Sequence, residues 1–220
     1  MKRTVPLFAL AIFIALSIEA QDRSILFPSF GIEAGVPLNQ MFSTYSITAL
    51  DYPVTYTPYS YSVPRYQVGA YANFHLVRHF GFEVDGLYSR GSFSFEQPIN
   101  GFFSHTRFND WQLPFMFEYT ATAGHIHPFV DLGASFRHIA GVNTSFYGPS
   151  AVGIPSQSSS DVLRNQSSWG GVAGAGIALK AGPLAIRPQL RYTRWINQSF
   201  NAVGLTNSLN ETVLMLGIGF

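Results

Sequence analysis

Apolar and polar residues alternate along most of this chain with a period of two, and no sustained stretch follows the period of a helix. In 80–88, for example, Phe80 and Phe82 fall on one face of a strand, while Glu83 and Asp85 fall on the other. The same alternation recurs at intervals along the whole chain. It predicts eight strands, at 30–38, 66–76, 80–88, 110–119, 130–137, 169–180, 184–193 and 211–220.

The links between the predicted strands alternate in length. Those after the second, fourth and sixth strands are short, whereas the other four are long, at 39–65, 91–107, 138–168 and 197–210. Transmembrane β-barrels alternate in this way between short periplasmic turns and long external loops, and soluble domains rarely contain so many long loops. The expected fold class is therefore all-β, an eight-stranded antiparallel up-and-down transmembrane β-barrel.

The end of the sequence shows the same pattern. Leu214, Leu216, Ile218 and Phe220 share one face of the last predicted strand, and the sequence stops on the aromatic ring. Chain termini usually fray into water, whereas the last strand of a closed barrel must pair with the first to leave no edge in lipid. Leu216, Ile218 and Phe220 resemble the terminal signal that the barrel-assembly machinery of outer-membrane proteins reads, which implies that machinery as a partner.

The first twenty residues have the order of a secretory signal peptide. A short basic start is followed by an apolar run and then by a small residue. The run is shorter than the ~20 residues that a membrane-spanning helix needs. Ala20 marks one cleavage point, and Ala15 with Ser17 frames an alternative. We therefore expect a signal peptide at 1–20 and an exported barrel domain at 21–220.

The composition supports export to a membrane. Apolar residues make up 47% of the chain and aromatic residues 15%, but only 11% are charged, whereas soluble domains carry about 25% charged residues. The chain has no cysteine, which fits an exported protein that does not rely on disulfides. Removal of the signal peptide leaves a formally neutral chain, so nucleic acid is not an expected partner.

Charged residues collect on the face of the predicted strands that points away from lipid. Eight strands enclose a lumen only wide enough to be filled by side chains, and buried charges must be paired. We predict an acid–arginine network in which Arg187 and Arg191 are the central donors, because a planar guanidinium can bind two carboxylates. A gate or narrow ion path is one role for such a network, and filling that fixes the strand register is the one we favour. Its predicted members are Glu33, Glu83, Asp85, Asp110, Glu118, Asp131, Arg137, Lys180, Arg187, Arg191 and Glu211.

Aromatic residues lie near the ends of the predicted strands, where transmembrane barrels carry two girdles of such residues at the membrane interfaces. The predicted girdle residues are Tyr66, Phe74, Phe80, Tyr88, Trp111, Tyr119, Phe136, Trp169, Tyr192, Trp195 and Phe220.

Three further patterns could in principle carry chemistry. The glycines of 170–176 lack the strand–turn–helix setting of a nucleotide site, so we expect no cofactor. His125 and His127 lie beside a predicted periplasmic turn without an acidic ligand, so we expect no metal. His105 and His138 fall at the predicted external rim, where some small barrels use serine and histidine to modify lipids. Ser104, Ser135 and Ser145 are available there, but no spacing selects a nucleophile–base pair.

The strands, the loop asymmetry and the terminal aromatic resemble the small outer-membrane β-barrels of OmpA/OmpX type. The resemblance implies a monomeric, non-enzymatic protein in contact with outer-membrane lipid, acting in envelope integrity, adhesion or binding through long external loops. The first loop, 44–61, is rich in Tyr, Ser and Thr, which suits recognition of an external ligand. A narrow pore and a lipid-modifying enzyme with a rim Ser/His site are the alternatives. A soluble lipocalin-like barrel would instead expose its apolar face to water.

Overall fold

The computed structural model describes residues 29–44, 47–48, 55–56, 59–62, 66–77, 79–97, 102–121, 126–147, 163–181, 184–202 and 205–219. The predicted signal peptide at 1–20, residue Phe220 of the assembly signal and His125 lie outside the described residues. In the described ranges, no helix is long and apolar enough to cross a membrane.

Eight long strands form a single antiparallel barrel in which each strand pairs with its neighbours in sequence. The predicted all-β, eight-stranded up-and-down barrel is therefore confirmed. The strands are β1 (Ser29–Pro37), β2 (Gln67–Val77), β3 (Phe80–Gln97), β4 (Phe102–Thr120), β5 (Ile126–Tyr147), β6 (Ser167–Ala181), β7 (Leu184–Trp195) and β8 (Asn210–Gly219).

The barrel is closed by the pairing of its first and last strands. β1 and β8 run antiparallel, with Gly31 opposite Gly219 at one end of the pairing and Pro37 opposite Val213 at the other. Closure leaves neither β1 nor β8 as an edge strand, because each of them pairs with a neighbour on both sides. We call the end of the barrel with the long links the outer end, and the end with the short turns the inner end.

The wall separates two chemically different faces. Ile32, Phe117 and Leu132 point outward with 66%, 66% and 68% of their surface exposed, and most other outward positions between the two ends are also apolar. Many inward positions carry carboxylates, amides or guanidinium groups instead, and most of these groups are buried. An outer face of this kind suits lipid and not water.

β3, β4 and β5 are much longer than the sequence predicted. The expected loop at 91–107 is mostly strand, since the pairing of β3 with β4 continues from Gly91–Phe108 up to Gln97–Phe102. The polarity of the two faces inverts in this part: Phe93 points inward and Ser92 outward. That inversion breaks the apolar row that marks the lower strand, so the prediction ended β3 and β5 too early and began β4 too late. We call the extended ends of β3, β4 and β5 the external wall.

A β-bulge in β5 sets which residues of the external wall face inward. Arg107 of β4 pairs with Asn143, but Asn109 pairs with Ala140, so β5 contains one extra residue there. Gly141 occupies the bulge with φ of 58°, a left-handed conformation that favours glycine. Because of this insertion, Ile139 and Val142 both reach the interior although they are three residues apart.

Short strands in the long links pack against the outer end. Phe42–Thr44 pairs with Leu205–Asn207, which also pairs with Asn201–Ala202. Tyr59–Ser62 pairs with β3 beyond the end of β2, so the first link returns to continue the sheet. A third pair joins Ile47–Thr48 to Thr55–Tyr56. The predicted first and last long links are thus partly ordered as sheet.

We expect Gly133→Ala to disrupt the pairing of β4 with β5. A Cβ atom at Gly133 would lie 1.9 Å from the carbonyl oxygen of Phe115 and 2.8 Å from the Cα of Met116, and neither backbone atom can move aside by changing a rotamer. The cost of such overpacking is about 1–3 kcal/mol. The measurement is the temperature at which the compact gel band of the folded barrel is lost on heating in SDS. Gly171→Ala is the matched control, because a Cβ there meets nothing within 4 Å. Equal transition temperatures for the two variants would contradict the expectation.

Candidate functional site

The lumen is filled by three arginine-centred clusters stacked between the two ends of the barrel. They contain ten of the eleven residues that the sequence placed in the interior network. Seven carboxylates and three guanidinium groups meet there, and all except Glu211 and Arg187 are classed as fully buried. We describe the clusters in order from the outer end to the inner end.

The outermost cluster surrounds Arg137. Its Nε lies 3.1 Å from Oδ2 of Asp110, and its Nη2 contacts Oε2 of Glu211. The guanidinium stacks on the ring of Trp195, 3.9 Å from the ring centroid. Trp195 also donates its indole N–H to Glu211 over 2.9 Å, and Gln112 donates to both carboxylates. This one arginine therefore joins β4, β5, β7 and β8 across the lumen.

The middle cluster surrounds Arg191. Its Nη2 lies 2.8 Å from Asp85, 3.6 Å from Glu83 and 3.7 Å from Glu33. The same nitrogen donates to Oε1 of Gln189 over 3.1 Å, and the amide N–H of Gln189 donates to Oδ2 of Asp131, which joins this carboxylate to the cluster. Arg191 thus contacts carboxylates from β1 and β3, neither of which pairs with its own strand β7.

The innermost cluster surrounds Arg187. Its Nη1 lies 2.5 Å from Oε2 of Glu83, and its Nη2 contacts Oε2 of Glu118. The guanidinium is held between the rings of Tyr71 and Phe129, with 5.0 Å and 4.6 Å to their centroids. Arg187 therefore binds two carboxylates at once, as its planar fork allows.

Two residues do not lie where the sequence placed them. Lys180 has the inward parity of β6, but it is only one residue from the end of the strand, so its side chain is exposed at the inner mouth and is not part of the network. Trp195 is not a girdle residue, since it is 1% exposed and packs on Arg137 inside the lumen. Trp195 lies two residues beyond Thr193 on β7, so its side chain shares the inward face of that strand and does not reach the lipid.

An apolar cluster closes the lumen at the outer end. Phe93, Phe108 and Phe200 pack with ring centroids 4.7 to 6.4 Å apart, and all three are buried. Two of these rings come from the external wall and the third from the last long link. We call this cluster the cap, and its buried members are Phe42, Phe93, Phe108, Ile139, Val142, Phe200 and Leu205.

The inner end of the lumen opens into a cavity of about 400 Å³. Arg187 and Glu118 form part of its floor, and Lys180 and His127 lie along its walls. In the described part of the chain, no three histidine, aspartate or glutamate side chains converge to hold a metal ion.

Two serine–histidine hydrogen bonds occur on the outward face near the outer end. Nδ1 of His105 lies 2.8 Å from Oγ of Ser94, and Nδ1 of His138 lies 2.9 Å from Oγ of Ser167. Arg107 donates its Nε–H to Nε2 of His105. A neutral imidazole has one acceptor nitrogen, so Nδ1 must carry the proton and donate it to Ser94.

That arrangement is the reverse of what a nucleophilic serine needs, because its base must accept the proton of the hydroxyl. Burial and the charge of Arg107 lower the pKa of His105, which lies in the external wall, and so favour its neutral form. At the second pair, the Gln166 amide lies 3.5 Å from Nε2 of His138, which favours the same direction of the proton. Ser135, which the sequence offered as a candidate, is buried in the lumen.

The sequence analysis missed the amide and aromatic members of the network. Gln67, Gln112 and Gln189 all donate to its carboxylates, and Tyr71 stacks on Arg187. Each of these residues has the inward parity of its strand. Its place in the network could therefore have been predicted from a polar side chain at a lumen position. The cap carried no such signal, because its rings come from segments predicted as loops.

We expect Arg187→Gln to lower the free energy of unfolding by about 3–5 kcal/mol, since it leaves the buried carboxylates of Glu83 and Glu118 without a cation. The urea midpoint of the barrel in lipid vesicles measures the change. Lys180→Gln removes the same charge at an exposed position and is expected to stay within about 0.5 kcal/mol of the parent. Adding Glu83→Gln and Glu118→Gln to the Arg187 variant should recover part of the loss. Indistinguishable midpoints for the two single variants would show that the ion pairs do not stabilise the barrel.

The fold is similar to solved outer-membrane proteins. OprG from Pseudomonas aeruginosa aligns with a TM-score of 0.51 and 14% identity, covering 87% of this chain and 92% of that one. Neisserial surface protein A aligns with a TM-score of 0.44 and 11% identity, covering 87% and 95%. The N-terminal β-barrel domain of Pseudomonas aeruginosa OprF aligns with a TM-score of 0.40 and 13% identity, covering 87% and 96%. No curated protein matches the chain.

A family model described as "Outer membrane protein beta-barrel domain" matches residues 19–201, which is most of the chain. The closed barrel, its apolar outward face and its polar lumen agree with that match. The chain therefore belongs to the outer membrane protein beta-barrel family, and it is a protein of the bacterial outer membrane.

Proposed function

We propose that this protein is a non-conducting outer-membrane barrel that presents its external wall to partners outside the cell. The observation that carries the proposal is the combination of a filled, capped lumen with strands that continue far beyond the aromatic girdle. A barrel that neither conducts nor catalyses acts through its outer surface. The sequence suggested contact through long external loops. Here we propose contact through the ordered strands of the external wall as well.

The filled lumen argues against a pore. A permeating ion would have to pass the buried rings of the cap and then displace Arg137, Arg191 and Arg187, each of which contacts at least two carboxylates. Breaking a buried pair costs several kcal/mol, because one buried charge is left without its partner. The gate or ion path that the sequence left open is therefore the weaker interpretation.

The external wall has the form of a contact surface. The outer aromatic girdle includes the pair Tyr88 and Trp111, whose ring centroids are 4.9 Å apart. β3 continues nine residues beyond Tyr88, to Gln97. At about 3.3 Å per residue this is roughly 30 Å along the strand, which exceeds the ~5–8 Å depth of a phospholipid headgroup layer. The cap fixes the wall to the barrel, so the surface is rigid and loses little entropy when it binds.

Export and assembly complete the proposal. The signal peptide at 1–20 would direct the chain out of the cytoplasm, and Leu216, Ile218 and Phe220 would be the sequence signal that the barrel-assembly machinery reads. The enzyme alternative has less support, because His105 directs its Nδ1 proton toward Ser94 and the contact with Gln166 favours the same direction at His138.

We expect the purified barrel to form no discrete channels in planar lipid bilayers, because both the cap and the arginine clusters occupy its lumen. The measurement is the current across the bilayer at applied voltages in about 1 M salt, where surface charges are screened within roughly 3 Å. A general porin in the same bilayers serves as the positive control. Reproducible current steps from the pure protein would overturn the non-conducting role.

The absence of cysteine from the sequence allows a direct test of the external wall. We expect Glu96→Cys and Asn143→Cys to react with a membrane-impermeant PEG-maleimide in intact cells, because both side chains are exposed near the outer end of the wall. Lys180→Cys lies at the inner mouth and should react only after the outer membrane is permeabilised. Labelling of the Lys180 variant in intact cells would contradict the orientation.

The same variants test whether the external wall makes surface contacts, and the test does not require the partner to be identified. Cells of a non-adherent strain that display the barrel are expected to be retained on wells coated with mucin, laminin or fibronectin more than cells without it. PEG attached at Glu96→Cys should abolish retention, while PEG treatment of cells with the Lys180→Cys variant should not. Retention equal to that of barrel-free cells on all three coatings would count against a contact role.

A further inference from the structure

The same three-residue unit occurs on two strands of the barrel at the level of the outer aromatic girdle. Tyr88-Ser-Arg90 lies on β3 and Tyr192-Thr-Arg194 on β7. Both strands run toward the outer end, so in each unit the arginine lies just beyond the tyrosine. The tyrosine and the arginine take the outward parity in both units, whereas the middle residue is buried in the lumen.

Each unit is completed by an asparagine on the neighbouring strand. Asn109 of β4 is the register partner of Arg90, and Asn210 of β8 is the register partner of Arg194. The tyrosine hydroxyl donates to the Oδ1 atom of this asparagine in both units, over 2.9 Å in the first and 2.8 Å in the second. The two units therefore share one geometry, and they lie four strands apart, on opposite sides of the barrel.

A third strand carries a related pair. On β5, which also runs toward the outer end, Phe136 is followed two residues later by His138. His138 is the register partner of Trp111 on one side, and the ring centroid of Phe136 lies 5.0 Å from that of Trp169 on the other. Both ring nitrogens of His138 contact protein groups, Ser167 and Gln166, so this histidine has no free donor for an anion. We call Arg90 and Arg194 the basic belt.

No described acid neutralises this belt. Glu96, the one acidic side chain that the described residues expose on the outside of the barrel, lies six residues beyond Arg90. The other described carboxylates are in the lumen, and all the ion pairs between described residues are there too. The only hydrogen bond described for the guanidinium of Arg194 goes to the neutral amide of Asn210.

The height of the belt indicates what it meets. Two residues along a strand span about 7 Å, and the polar headgroup layer is ~5–8 Å deep on each side of the hydrocarbon core. The guanidinium groups therefore lie at headgroup depth, above rings that mark the interface. Because the units lie on opposite sides of the barrel, a single soluble ligand cannot contact both, whereas the lipids that surround the barrel contact each separately.

We propose that Arg90 and Arg194 bind the phosphate groups of anionic lipid headgroups in the outer leaflet. The guanidinium fork matches two phosphate oxygens, and the hydrogen bond from tyrosine to asparagine fixes the polar surface on which the headgroup rests. The belt would hold a ring of lipid around the barrel beneath the external wall. This inference concerns lipid and does not depend on whether the wall binds an external partner.

The experiment counts phosphate-bearing lipids that remain on the barrel. The protein and its variants are placed in nanodiscs of phosphatidylcholine with 10 mol% phosphatidic acid, released, and weighed by native mass spectrometry. We expect Arg90→Gln and Arg194→Gln each to lower the amount of retained phosphatidic acid about fivefold, which is the usual contribution of one basic residue to binding at an anionic surface. The double variant should lower it about 25-fold, because the two units act separately. Lys180→Gln, which removes one exposed charge at the inner mouth, should change retention less than twofold.

Heat-dependent gel mobility establishes that each variant is folded before lipids are counted. Retention of phosphatidic acid by the folded double variant at the parent level would overturn the proposal. Equal losses of phosphatidylcholine and phosphatidic acid would also overturn it, because the arginines would then act without regard to phosphate. A third contrary result is displacement of the bound lipid by a soluble sulfated polysaccharide at low concentration, which would assign the belt to an external polyanion instead.

Discussion

The structure depends on one constraint, which is that a strand in a closed barrel shows one face to lipid and the other to a lumen too narrow for bulk water. Period-two alternation then forces polar side chains into the lumen wherever apolar ones face out. Once there, a carboxylate such as Glu83 or Glu118 must find a cation, and Arg187 supplies it to both. The ion pairs are thus a consequence of the apolar outer face, and all of them except Arg137–Asp110 join strands that are not neighbours in the sheet.

The same constraint is reversed above the membrane, where water lies outside the barrel. In the external wall the apolar side chains turn inward, and Phe93 and Phe108 meet Phe200 from the last link. The wall therefore has a hydrophobic core of its own, the cap, which closes the lumen as it stabilises the strands. The inward apolar side chains of the cap both stabilise the extended strands and close the lumen. A barrel with this external wall therefore has no open channel.

These features divide the molecule by function. The interior fixes the shape, since its charged groups are used in pairing. The outward surface is where the protein can act. It carries a basic belt at headgroup depth and a rigid wall beyond it, one suited to lipid and the other to partners outside the cell.

The strand number, the closed antiparallel fold and the inward parity of residues such as Glu33 and Arg191 could be predicted from the sequence, because parity along a strand is a local property. The sequence could not determine partners across the lumen, so the separate cluster of Arg137 with Trp195 emerged only from the tertiary structure. Parity also failed where the environment changes. Lys180 leaves the lumen at the barrel mouth, and the wall inverts its polarity, since what a face contacts depends on height in the folded barrel.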